Sequence, residues 1–381
     1  MSWPLGGYDI SPMEKAFIKS PNWARNTTPV DPFLACVWKI LPKNRVVWAH
    51  RVLQTDPPGF FNWGEDLAVM GTQETYIVGS GGDLVAETYA TIGLLDHSTG
   101  NTVRWSDRLD TNATATNVMD VVVDSADYAY ACLPGNFFNG CLYKISPDQQ
   151  IVWAQDDFDD FHWATAVDGS GNVYAVGDGA EPVNWLVKKY DSDGRYVTRY
   201  DNGYWGVAVC VTLDHAGRIC AVLWSAISGN HVCRFDSDLA LLNNVGFTTS
   251  DVVAHAVAVD PQDRAFVATD CGIWGEDPDD PFNIVVMDED GNIVTHHHVG
   301  DPDEQISLMD IVADGSGGFY VVGTRDTVNG ANVWRIDANG NELWSYDTGT
   351  AAPGLLRGVD IDGAGGVYVC GDESDQWSWA A

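Results

Sequence analysis

The chain has 381 residues, with 54 Asp or Glu against 20 Lys or Arg and a formal net charge of −34. So negative a field repels nucleic acid and anionic membrane surfaces, and suits cations, basic partners or high salt. No apolar run reaches the length of a membrane span, while 45% hydrophobic content is that of a folded protein.

The charge is uneven. Residues 1–51 hold seven Lys or Arg and three acids, a net of +4, and the remainder holds 13 and 51, a net of −38. Residues 1–30 fit no repeat and combine Pro4, Pro12, Pro21 and Pro29 with Trp3, Phe17 and Trp23. Proline breaks regular structure and large aromatics favour burial, so this segment reads as an extended arm. Two readings stay open: an arm lying on its own acidic body, or a docking arm that places Trp3, Phe17 and Trp23 on another subunit. Nothing resembling a secretory signal opens the chain, so cytoplasmic synthesis is expected.

From residue 31 onward the chain repeats. An Asp followed six residues later by an aromatic or Cys recurs as Asp124–Tyr130, Asp168–Tyr174, Asp214–Cys220, Asp260–Phe266, Asp314–Tyr320 and Asp362–Tyr368, with Met70–Tyr76 as an earlier copy. The spacings of 44 to 54 residues mark a repeat architecture. Each unit has four short apolar runs, rich in Val, Ile and aromatics, bounded by turn residues; these read as strands. The third and fourth runs are joined by DSDG (191–194), DEDG (288–291) or DANG (337–340), where Gly or Asn supplies the positive φ of a tight hairpin. Four antiparallel strands per unit, repeated radially, predict a seven-bladed β-propeller over residues 31–381. The last unit stops after two strands, and ACVWKILPKNRVVW (35–48) aligns with GCLYKISPDQQIVW (140–153). The expectation is a composite blade built from 31–50 and 354–381, closing the ring and removing exposed sheet edges.

Trp48, Trp105, Trp153 and Trp344 recur on the outermost strands, as fillers of the wide gap between blades. Of the eight Cys, Cys132 and Cys141 have Cys370 and Cys36 as repeat equivalents. Packed free thiols and disulfides both stay open for these pairs, and there is no CxxC.

Propeller sites gather where the inner strands begin. Four residues before the repeated Asp stand Asp66, Asp120, Ala164, Cys210, Ala256, Asp310 and Gly358; one residue earlier stand Glu65, Met119, Trp163, Val209, His255, Met309 and Arg357. Asp66, Asp120 and Asp310 would converge on one side of the channel, with Gly358 leaving room between them. Hard oxygen ligands suit a structural divalent cation such as Ca2+; channel polarity or hydrogen bonds to inner-strand turns is the competing reading. If the protein is an enzyme, a hydrolase or lyase, Asp66, Asp120, His255 and Arg357 are the groups for it. Trp163, Trp205 or Trp224 on an open face would suit a glycan. The acidic loop 271–282 and the run His296–His298 offer weaker metal readings. GxSxG, HExxH, GxxxxGK[ST] and GxGxxG before a helix are all missing from the sequence.

The repeat YVVG followed by VWRIDANGNELW, with Trp closing the outer strand, resembles quinoprotein-like and related bacterial propeller repeats over roughly residues 31–377. The arm and acidic body are similar to propellers among the structural proteins of tailed bacterial viruses. That resemblance implies a non-enzymatic assembly or decoration module, held in a virion by its arm and partnered by other virion proteins.

Overall fold

The computed structural model describes residues 33–41, 45–51, 53–55, 58–71, 74–82, 88–96, 102–106, 118–133, 139–158, 160–179, 184–225, 228–247, 253–269, 283–300, 306–325, 330–347 and 355–374. Trp3, Phe17, Trp23 and the loop 271–282 lie outside the described residues, as do the side chains of Cys36, Trp48, Trp105 and Trp205.

Among the described residues every regular element is a β-strand, and the strands form six four-stranded antiparallel sheets and one five-stranded sheet. The expectation of seven four-stranded blades is therefore corrected. The exception is the first blade in chain order, residues 53–106. Its inner strand, Pro58–Met70, has 13 residues, whereas the inner strand of the next blade, Asp120–Val123, has 4 and that of the third, Asp160–Val167, has 8. So long an inner strand presents extra free edge, and free edges recruit pairing. Leu53–Thr55 takes it up, with Leu53 opposite Phe60 and Thr55 opposite Pro58.

Blades two to six follow in chain order over residues 120–158, 160–205, 207–246, 254–297 and 306–347. The remaining sheet runs, from outside in, Arg45–Arg51, Phe33–Leu41, Val367–Ser374 and Leu355–Ile361. Phe33–Leu41 and Val367–Ser374 are antiparallel from Phe33↔Ser374 to Ile40↔Val367. Each inner strand packs on the next, and Leu355–Ile361 packs on Pro58–Met70. The core lies between adjacent sheets: Tyr174, Val176 and Val187 of blade three, for example, share one buried cluster with Cys220, Val222 and Phe235 of blade four.

The recurring Asp has two hydrogen-bonding duties. Its Oδ1 accepts backbone N–H groups two and four residues on, as Asp168 does from Ser170 and Asn172 at 2.8 and 2.9 Å. Such an Asx-type cap holds a tight turn. Its Oδ2 accepts the phenol six residues on in blades two, three and seven, from Tyr130, Tyr174 and Tyr368 at 2.9, 3.3 and 3.0 Å. In blades four, five and six an arginine takes that place: Arg218 on Asp214, Arg264 on Asp260 and Arg335 on Asp314, at 2.6, 2.7 and 2.8 Å. The six-residue offset visible in the sequence is thus a hydrogen bond in blades two, three and seven, while a guanidinium takes the Asp in blades four, five and six, which carry Cys220, Phe266 and Tyr320.

The outer hairpins fit blade to blade. Gly194 has φ +79°, and a Cβ there would stand 2.6 Å from the Trp153 ring of blade two. The Trp153 indole N–H donates to the Ser192 carbonyl at 3.2 Å, so this Trp fills the outer gap. Just past the hairpins the outer strands expose apolar side chains: Ile151–Val152, Tyr196–Val197, Leu241–Leu242, Ile293–Val294 and Leu343, with exposures from 39% to 54%. Cys132, Cys141, Cys210, Cys220, Cys233 and Cys370 are buried free thiols. Cys132 and Cys141 are one register step apart, with Cys141 opposite Leu133 and Leu142 opposite Cys132.

Candidate functional site

The inner strands of every blade but the second share one irregularity. The register slips between Gly64 and Asp66, His162 and Ala164, Ala208 and Cys210, Ala254 and Ala256, Leu308 and Asp310, and Leu356 and Gly358. A β-bulge leaves one residue out of the ladder and re-aims its neighbours. The residues skipped are Glu65, Trp163, Val209, His255, Met309 and Arg357, and all are partly exposed. The two columns read in the sequence are thus the bulge residue and the one after it.

The acid of the second column reaches sideways. Asp66 of blade one accepts the Val121 N–H of blade two at 2.9 Å. Asp120 of blade two accepts both the N–H and the hydroxyl of Thr165 in blade three, at 2.7 and 2.6 Å. Asp310 of blade six accepts the Val359 N–H of blade seven at 2.7 Å, and its other oxygen accepts its neighbour Ile311 at 2.8 Å. Blade seven has Gly358 in this column. A Cβ there would lie 2.8 Å from Asp66 Oδ1 and 2.9 Å from Asp66 Cα, so Asp66 occupies the space a side chain would need. Asp360, one pleat further along, replaces it by accepting the Val69 N–H of blade one at 2.7 Å. Sequence reasoning missed Asp360. Its signal was a lone Asp in a column otherwise filled by Ala68, Val122, Ala166, Thr212, Ala258 and Val312.

These carboxyls keep some exposure to the channel, yet protein surrounds them and desolvation penalises their charged form. Burial raises Asp66 well above the usual carboxylate range, and the charges of Asp120 and Asp310 add to it. Burial pushes Asp310 up to about 8, against the hydrogen bonds from Val359 and Ile311. It pushes Asp120 and Asp360 up to about 6. Asp66 and Asp120 thus act on each other as neighbouring carboxyls across the seam between blades one and two. Burial likewise pushes the neighbouring thiols of Cys132 and Cys370 well up, with Asp66 among the charges adding to the effect.

The sequence-read set is only partly assembled. Arg357 of blade seven pairs with Glu65 of blade one at 3.2 Å, close to the Asp66–Asp120 pair in the chain. His255 stands on blade five, with the inner strand of blade six between it and Arg357. For Asp66, Asp120 and Asp310 as cation ligands, the oxygens aim at backbone amides. Among the described residues no group of three or more His, Cys, Asp or Glu is arranged to hold a metal ion. His162 is fully buried, edge-on to Tyr190. His297 lies over Gly340 of blade six, and burial lowers its pKa. Trp163 is half-buried and donates to Asp178 at 2.7 Å; Trp224 is also half-buried.

Chemically, the arrangement is a chain of carboxyl-to-amide staples running from blade six through seven, one and two to blade three. Perturbed carboxyls beside a channel are candidates for acid–base work. Here the perturbation and the blade-to-blade bonds belong to the same groups.

No protein-family model matches the chain, and no curated protein matches it. Solved structures do. A streptogramin B lyase structure is 14% identical with a TM-score of 0.58, covering 81% of this chain and 93% of that one. The Neurospora crassa Pan2 WD40 domain is 12% identical with a TM-score of 0.55, covering 81% and 88%. Chaetomium thermophilum Sqt1, bound to the N-terminus of ribosomal protein L10, is 14% identical with a TM-score of 0.54, covering 82% and 96%. At such identities the likeness establishes the β-propeller fold alone. Among the described residues no helix is long and apolar enough to cross a membrane.

Proposed function

We propose that this protein is a non-enzymatic propeller serving as an assembly or decoration module, with residues 1–30 as its anchor and other subunits of a larger particle as its partners. The observation that carries the reading is the fate of the channel carboxyls: Asp66, Asp120 and Asp310 each hold a backbone amide of the following blade. Groups used to join blades are poorly placed to move protons on a substrate, because ionising or displacing them opens a seam. Sqt1, a similar propeller, is bound to the N-terminus of another protein, which supports protein contact as a use of this architecture. The resemblance to structural propellers of tailed bacterial viruses supports a virion as the particle, with synthesis in the cytoplasm preceding incorporation.

The test is co-sedimentation of the purified full-length chain with its native assembly. Full-length protein is expected in the particle fraction. Removal of residues 1–30, or Trp3→Ala with Phe17→Ala and Trp23→Ala, is expected to leave it at the top of the gradient. A full-length chain that stays monomeric and binds no particle would overturn the reading, as would undiminished co-sedimentation of the truncated one.

A further inference from the structure

We propose that the outer strands of blades two to six form a docking belt of five edges, one per blade, each for an extended segment of a partner protein that alternates aliphatic and Lys or Arg residues. The proposal deepens the assembly reading and rests on it. Among the described residues, Ile151–Phe158, Tyr196–Trp205, Leu241–Gly246, Ile293–His297 and Glu342–Asp347 are each the last strand of a sheet, so each keeps one edge outside the ladder there. Val152, Val197, Leu242, Val294 and Leu343 occupy one register on these strands, six residues past Ser146, Asp191, Asp236, Asp288 and Asp337. All five are 49% to 53% exposed. An aliphatic side chain half in water at the same place on five blades is a repeated feature, not a scattered one. Edge strands are ordinarily guarded against pairing by charge, Lys above all.

Here the neighbouring charge is acidic on balance, with Arg195 on Asp193 at 2.9 Å, Lys189 on Asp238 at 3.7 Å and Arg218 on Glu289 at 3.4 Å offsetting only part of it. The hairpins beside four of the five positions expose Asp148, Asp193, Asp238, and Glu289 with Asp290. A second copy of this chain is a poor occupant, because each copy carries a formal charge of −34. A basic segment gains what a second copy loses. Free backbone edge, aliphatic side chains in register and acidic hairpins together match strand addition, in which main-chain bonds give affinity and alternate side chains give specificity.

The test uses two fluorescein-labelled probes, an eight-residue peptide alternating Lys and Val, and octalysine. Their binding to the full chain is followed by fluorescence anisotropy at about 0.15 M salt, where distant charges are largely screened. The alternating peptide is expected to bind about tenfold more tightly than octalysine. Val152→Ser, Val197→Ser, Leu242→Ser, Val294→Ser and Leu343→Ser combined are expected to remove that advantage, with the β-sheet circular dichroism unchanged. Leu242→Ser and Leu343→Ser are also tested singly, where folding is not at stake, and each is expected to lower the peptide bound at saturation by about one fifth. Equal affinity for the two probes, or unchanged peptide binding in the variants, would overturn the belt. The probes read the outer strands and removal of residues 1–30 reads the anchor, so either reading can fail without the other.

Discussion

Asp310→Asn separates the charge of a staple from its hydrogen bond. Asp310 has an ordinary carboxyl pKa of 3.8 when unfolded and about 8 when folded, mainly through burial. Between those values the native chain holds a proton that the unfolded chain has released. Stability therefore falls as pH rises, by about 1.4 kcal/mol per pH unit for one proton. From pH 6 to pH 8 that is roughly 2 kcal/mol from this one group, allowing for half-ionisation at the upper end. In Asp310→Asn the side-chain oxygen still accepts the Val359 N–H, but the amide NH2 cannot accept from Ile311 as the carboxylate does. Losing that second bond costs about 1 kcal/mol at every pH. The two proteins are thus expected to be equally stable at about pH 4.5, with the variant ahead by roughly 2 kcal/mol at pH 6 and roughly 4 kcal/mol at pH 8. Urea unfolding followed by Trp fluorescence at pH 6, 7, 8 and 9 measures both. Asp66, Asp120 and Asp360 titrate in both proteins, so their direct contributions largely cancel in the difference. A difference constant within about 0.5 kcal/mol across the range would refute the raised carboxyl.

Gly358→Ala is expected to cost about 1–3 kcal/mol in thermal or urea unfolding, because the new methyl meets Asp66 Cα at 2.9 Å and backbone cannot step aside. Trp153→Ala removes an indole lying on Gly194 and a bond to the Ser192 carbonyl; a loss of roughly 2–4 kcal/mol is expected in urea unfolding, and a loss under 0.5 kcal/mol would show the gap filled some other way. Cys132, Cys141, Cys210, Cys220, Cys233 and Cys370 are expected to resist iodoacetamide in the native protein at pH 8 and to react fully in urea, read by peptide mass spectrometry, because all six are buried and reaction needs an exposed thiolate.

Local relations were legible in the sequence. The Asp-to-Tyr offset of six residues spans a single inner hairpin, so the hydrogen bond of blades two, three and seven follows from one turn. Trp153 marked its own place because the gap it fills recurs at every outer strand. Leu53–Thr55 was not legible: three residues carry no periodicity, and their pairing depends on how far Pro58–Met70 projects. The channel acids were legible as a column, and their purpose was not. Spacing along the chain places Asp66, Asp120 and Asp310 at equivalent points of the inner strands, which invites a common ligand. Whether each oxygen turns to the axis or to the next blade depends on the rotation between neighbouring sheets, which appears nowhere in the linear order. Asp360 was lost for a related reason, since it compensates for Gly358, whose side-chain space is taken by a residue almost 300 positions away.

The carboxyl staples cover only part of the circle. They join blades six, seven, one, two and three; from blade three to blade six the same column holds Ala164, Cys210 and Ala256, which offer no such acceptor. The ring consequently has a grain. Its stapled arc is bonded through the inner-strand column itself, while the opposite arc has apolar contact in that column and takes its directed bonds elsewhere: Trp185 to the Trp224 carbonyl, Ala254 N–H to Asn230, Arg264 to the Ala338 carbonyl, and the buried Arg234 to Asp214 and the carbonyls of Asp263 and Asp288. A load on the inner rim would therefore part the inner strands of that second arc before those of the first.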